Sequence, residues 1–244
     1  MSRPRVLRPR HSVVTQWDLL TPLGIPSPDP ELDPTEMALD ETAAASVERR
    51  LGDAGVNDGT PIVVVHVSAG NPFRRWPLDS FVTLVCGLVK SDPNRRIALT
   101  SGPSDAGAAA TVADRARAAL GSDLRNRILS VGEFNLAELR ALIGRAALYI
   151  GGDSGPLHIA GTTTTPVVGL YGPTLSVRSE PWRSRGVVSE AAEGGALPCR
   201  PCDQRRCEPG DFRCLTRISA ESVSVMAERA VKRSWRGRVH RPRQ

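Results

Sequence analysis

From residue 61 onward, short β-branched runs alternate with stretches of helical spacing, and this alternation constrains the fold more than any other feature. Residues 61–67 form a continuous run, Pro-Ile-Val-Val-Val-His-Val, as expected of a strand buried on both faces. Further strands are predicted at 96–100, 128–131, 147–150 and 166–171. Helices are predicted at 77–89, with Pro77 near the first turn, at 106–120, and at 135–143 behind an Asn cap. A short helix at 156–161 and a final one at 219–233, opened by Ser219-x-x-Ser222, complete the pattern. Strand–helix alternation at this spacing implies parallel βαβ units with right-handed crossovers. The predicted class is α/β: a Rossmann-like parallel sheet with flanking helices. Ligands of such sheets bind beyond the carboxyl ends of the strands.

Residues 1–60 carry no strand rhythm. The proline-rich stretch 19–36 reads as an extended connector, and 41–55 as a short helix ending near Gly52 or Gly55. The expected organisation is a segment over 1–60, an α/β domain over 61–234 and a basic tail over 235–244. No apolar run approaches the ~18 residues of a membrane span. No apolar stretch follows the basic N-terminus, so no secretory signal is expected and a cytoplasmic location is.

The net charge of +6 sits at the ends. Arg3, Arg5, Arg8 and Arg10 stand at one end, and Lys232, Arg233, Arg236, Arg238, Arg241 and Arg243 at the other. Taking these ten from 32 leaves 22 basic residues against 26 acidic ones. The middle is therefore acidic, which argues against a nucleic-acid groove. The basic ends can contact phosphates or an anionic membrane surface, or stand as solvated termini.

Four strand ends carry chemistry. After the first comes Ser68-Ala-Gly70-Asn-Pro-Phe-Arg74-Arg75-Trp-Pro, where Ser68 and Gly70 allow close backbone approach and two arginines offer an anion site. After the second, Gly102-Pro-Ser-Asp105 places a carboxylate where ribose hydroxyls are bound in such folds, or where it caps the next helix. The most informative loop is Gly151-Gly-Asp153-Ser154-Gly155-Pro-Leu-His158. Its backbone N–H groups open a helix suited to a diphosphate, with His158 one turn in. Thr174, after Tyr171-Gly-Pro, offers a further phosphate or sugar contact at the same edge, or sits in a simple turn.

In this order and spacing, S-A-G…R-R-W-P, G-P-x-D, G-D-S-G-P-x-H-I-A and P-V-V-G-L-Y-G-P-T resemble glycosyltransferase family 9 over roughly residues 60–233. That family is typified by the ADP-heptose:lipopolysaccharide heptosyltransferases. The resemblance implies the C-terminal, nucleotide-sugar-binding half of a GT-B fold. It implies that Arg74 replaces a lysine on a phosphate, and that Asp105 replaces a longer Glu on the ribose. Asp153, Ser154, Gly155 and His158 match the diphosphate loop. The implied activity is heptose transfer from an ADP-sugar to a lipopolysaccharide-core acceptor, with no cofactor required and the cytoplasmic face of the inner membrane as the workplace. The family's acceptor-side Gly-rich loop and general-base aspartate have no counterpart in 1–60. The sequence thus reads as the donor-binding half, with a non-catalytic nucleotide-sugar-binding module as the alternative.

Cys199, Cys202, Cys207 and Cys214 follow a C-x2-C-x4-C-x6-C pattern. Thiolates so spaced can hold a structural zinc, pair as disulfides, or remain free thiols. Cys86, alone in an apolar helical stretch, reads as core packing.

Overall fold

A computed structural model describes residues 9–239. The basic residues Arg3, Arg5, Arg8, Arg241 and Arg243 lie outside the described residues. Five parallel strands form one sheet in the order β2-β1-β3-β4-β5: β1 Ile62–His66, β2 Arg96–Thr100, β3 Leu148–Gly152, β4 Val167–Tyr171 and β5 Ser189–Glu193. The helices are α1 Ser12–Trp17, α2 Glu41–Asp53, α3 Leu78–Ser91, α4 Ala108–Leu120, α5 Leu136–Arg145, α6 Gly155–Gly161, α7 Ser176–Ser179, α8 Arg213–Thr216 and α9 Ala220–Val239.

Side chains alternate across a strand, so one apolar run feeds two cores. Val63 and Val65 pack with Phe81, Leu84 and Val112 under α3, α4 and α9. Ile62 and Val64 pack with Leu142, Tyr149 and Leu157 under α5 and α6. Helix α2 joins this second layer through buried Val47 and Leu51, and so forms part of the α/β unit. Asn135 caps α5 in a reciprocal capping box with Glu138. The Ser219 hydroxyl accepts from the Ser222 N–H at the head of α9, and the helix runs on to Val239, past the predicted end.

Two strand expectations are corrected. Residues 128–131 make only a single bridge, Ile128 beside Ile97. Ile128, Leu129 and Val131 are buried, which explains the apolar signal. Their carbonyls accept instead from guanidinium groups: Arg117 serves Ile128 and Leu129, and Arg50 serves Val131. The fifth strand is β5, Ser-Glu-Ala-Ala-Glu, an edge strand with little apolar content.

The proline-rich connector lies along residues 180–185. The Trp182 indole donates to Asp33 O, and Glu31 accepts from Ser184 and Arg185.

Candidate functional site

The order β2-β1-β3 makes the β1/β3 edge the topological switch point, where loops from adjacent strands diverge and leave a crevice. The loops after β1 and β3 meet there. Asp153, which follows β3, is 2% exposed. Its Oδ2 lies 3.1 Å from Arg74 Nη1 and accepts from the Thr174 hydroxyl at 2.6 Å. Arg74 Nη1 also donates to the Asp153 carbonyl at 3.1 Å. Three segments far apart in sequence, after β1, β3 and β4, thus converge on one carboxylate.

The remaining predicted residues sort by what their side chains already hold. Arg75 donates to the carbonyls of Ala69 and Ser104 and lies 3.6 Å from Asp105. Asp105 does not cap α4: that helix begins at Ala108 behind Gly107, whose φ of +88° suits glycine. The carboxylate is half-buried on a short 3-10 turn, so the capping alternative falls away. A cavity of about 250 Å³ opens at the same loop, lined by Ser101, Gly107, Arg117, Val131, Phe134 and Leu139.

His158 approaches Asp153 at 4.0 Å and is nearly half exposed. Partial burial lowers its pKa, and His11 and Arg74 act the same way against the opposing pull of Asp153. It therefore stands neutral at pH 7, a hydrogen-bonding group without charge. Gly70 and Gly155 have open space where a Cβ would be, and Ser154 turns its hydroxyl to the Gly152 carbonyl.

Two of the predicted residues already hold partners within the protein. Ser68 is 3% exposed; its hydroxyl accepts from the Gly102 N–H at 2.7 Å and meets His66 Nε2 at 3.2 Å. It ties the β1 loop to the β2 loop and is not placed to meet a ligand through its side chain. His66 reaches Thr100 through Nδ1 at 2.9 Å, and burial lowers its pKa to about 4. The Thr174 hydroxyl is committed to Asp153.

The structure adds residues that sequence reading missed. Gln204 Oε1 accepts from Arg74 Nε at 2.7 Å and from Asn71 Nδ2 at 2.9 Å. The buried Arg200 guanidinium donates to the carbonyls of Tyr171, Gly172 and Thr174 and pairs with Glu193. Their only sequence signal was proximity to the cysteines.

Those cysteines, Cys199, Cys202, Cys207 and Cys214, are all free and line one cavity of about 360 Å³ with Phe73 and Phe212. Burial raises the Cys202 and Cys214 thiols, with neighbouring charge adding to it. Among the described residues, no three His, Cys, Asp or Glu side chains converge to hold a metal ion. No disulfide joins these four cysteines, which stand as free thiols in this arrangement. Cys86 is half-buried against the α3 side of the core.

Comparison with known proteins gives the family. The model of glycosyltransferase family 9 (heptosyltransferase) matches residues 3–209. Lipopolysaccharide heptosyltransferase 3 of Escherichia coli (strain K12) is 34% identical over 220 residues, 90% of this chain and 59% of that protein. The chain therefore spans less than two thirds of that relative's length. The solved glycosyl transferase family 9 structure from Veillonella parvula DSM 2008 superposes with a TM-score of 0.70 at 20% identity, over 92% of this chain and 60% of the other. E. coli heptosyltransferase WaaC with ADP gives 0.55 at 17% identity, over 92% and 58%.

Proposed function

Because the chain belongs to glycosyltransferase family 9 (heptosyltransferase), we propose that it binds the ADP-sugar donor in heptose transfer to a lipopolysaccharide-core acceptor. The observation that carries this reading is the Arg74–Asp153–Thr174 set. It fixes one cation at the switch point where parallel sheets bind nucleotides. The E. coli relative is a lipopolysaccharide heptosyltransferase, and the WaaC structure holds ADP.

In the transfer, an acceptor hydroxyl oxygen bonds to the anomeric carbon of the sugar. The bond from that carbon to the diphosphate breaks, and ADP leaves with the electron pair. The hydroxyl proton passes to a base on the acceptor side. The residues of this chain act on the leaving group. Arg74 and Arg75 supply positive charge, the N–H groups from Ser154 and Gly155 supply dipoles, and neutral His158 supplies a hydrogen bond. Asp105 accepts from the ribose hydroxyls, and the cavity beside it receives the base. This transfer uses no cofactor.

Among the described residues no helix is long and apolar enough to cross a membrane. We place the work at the cytoplasmic face of the inner membrane. Exposed Trp235 beside Lys232 and Arg233 on α9 supports peripheral contact there.

Calorimetry with ADP on the 244-residue chain tests the reading. Saturable binding is expected; no heat at millimolar ADP from a folded sample overturns it. A turnover assay with ADP-heptose and a heptose-deficient lipopolysaccharide then separates the two forms of the reading. Binding with transfer indicates an enzyme in this chain alone. Binding without transfer indicates a donor-binding module.

A further inference from the structure

The segment carrying the four cysteines touches the donor loop at two points. Phe212 packs against Phe73 at a tilt of 58°, with ring centroids 5.4 Å apart. Next to that contact, Gln204 Oε1 accepts from both Arg74 Nε and Asn71 Nδ2. Asn71 in turn caps the short turn bearing Phe73 and Arg74, its Oδ1 accepting from the Phe73 N–H at 3.0 Å. One amide oxygen thus braces both the guanidinium and the turn that presents it.

Three features make this brace more than loop packing. Gln204 holds a φ of +63°, a left-handed conformation that few non-glycine residues adopt. Such backbone strain gathers at sites where geometry matters. Secondly, the contacts of Arg74 are divided by edge. Nε goes to Gln204 and Nη1 to Asp153, while Nη2 makes no hydrogen bond among the described residues. A guanidinium has five N–H donors in a fixed fork, so holding two edges sets the direction of the third. Thirdly, the brace is neutral. A carboxylate in place of Gln204 would place a second negative charge beside Arg74, which Asp153 already balances. An amide orients the cation and leaves its field available to an anion.

We infer that Gln204 is a positioning residue: it aims the Nη2 edge of Arg74 at the donor diphosphate, and so couples the cysteine-lined segment to diphosphate binding. This inference rests on the donor-binding reading above. It predicts an effect centred on the phosphates, because Gln204 bonds Arg74 and Asn71 and makes no contact with Asp105, whose ion-pair partner is Arg75.

The test is a double-mutant cycle on the full 244-residue chain, with calorimetry of ADP and of adenosine. Gln204→Ala is expected to weaken ADP about tenfold, the scale of a hydrogen bond to a charged group. Adenosine affinity should stay within about twofold, the scatter of uncoupled sites. In the Arg74→Ala background, Gln204→Ala should add nothing. Equal weakening of ADP and adenosine overturns the inference, as does the same tenfold loss with Arg74 absent. Should Gln204→Ala fail to fold, Gln204→Gly carries the same cycle, since glycine favours the left-handed backbone found there. If the parent chain binds neither ligand, the donor-binding reading falls and this inference with it. If the parent binds ADP and the cycle is additive, only this inference falls.

Discussion

Asp153 is the convergence point of the site, and its removal has a size that can be worked out. The carboxylate is 2% exposed, with Arg74 Nη1 at 3.1 Å and the Thr174 hydroxyl at 2.6 Å. Stripping one partner from a fully buried ion pair costs about 3–5 kcal/mol. Arg74, however, is 30% exposed, so water reaches the stranded guanidinium, and Gln204 still accepts from it. The ion-pair contribution is therefore discounted to about 1–2 kcal/mol. The half-buried Thr174 hydroxyl loses a charge-assisted bond, about another 1–2 kcal/mol. Asp153→Ala should thus destabilise by roughly 2–4 kcal/mol, a melting shift of about 5–15 °C for a chain of this size. Asp153→Asn keeps an acceptor for Thr174 while losing the charge, so it should cost about half as much. Calorimetric melts of the two variants against the parent measure both numbers. An alanine variant melting within about 1 °C of the parent would refute the reasoning. An asparagine variant as damaged as the alanine one would refute the division between charge and hydroxyl.

Three further predictions follow from the same geometry. Burial holds His66 near pH 4 against an ordinary value of 6.5, so below pH 6.5 the unfolded chain takes up a proton that the folded chain refuses until about pH 4. Stability should fall across that window, by up to about 3 kcal/mol at its foot. His66→Gln should flatten the decline between pH 6.5 and 5 in urea titrations; an unchanged slope would assign it to His158, which burial lowers in the same sense. Asp105→Ala should weaken ADP by roughly 1–3 kcal/mol with melting unchanged, because α4 is headed by Gly107 and does not need this carboxylate. Unaltered affinity in calorimetry would remove Asp105 from the site. Gly194→Ala would set a Cβ 2.5 Å from the Cys214 carbonyl, a backbone atom that cannot swing away. A loss of about 1–3 kcal/mol is expected, and a neutral melt would show that the cysteine-bearing segment yields freely.

What was legible in the chain follows from how many faces each segment buries. β1, β3 and β4 are buried at every position and β2 at all but its first, so each centres on an apolar run. β5 lies at the sheet edge and buries only Ala192 fully, so composition could not reveal it. The false strand at 128–131 shows the converse. Burial writes the apolar signal, but whether a ladder forms depends on which donors meet the carbonyls, and there Arg117 and Arg50 take them. The site divides in the same way. The loops that carry Arg74, Asp105, Asp153 and His158 stand out in the sequence because glycine and proline punctuate them after parallel strands, the edge at which such sheets bind ligands. Ser68 occupies such a loop, yet its hydroxyl turns inward to Gly102 and His66. No local pattern records the direction of a side chain. Gln204 was silent for a stronger reason: it meets Arg74 across 130 residues of sequence, inside a segment whose cysteines drew the attention. A residue that acts by holding another need carry no motif of its own, since its chemistry, one neutral acceptor oxygen, is common to every Gln in the chain. Its role exists only in the contact, and so only the folded structure discloses it.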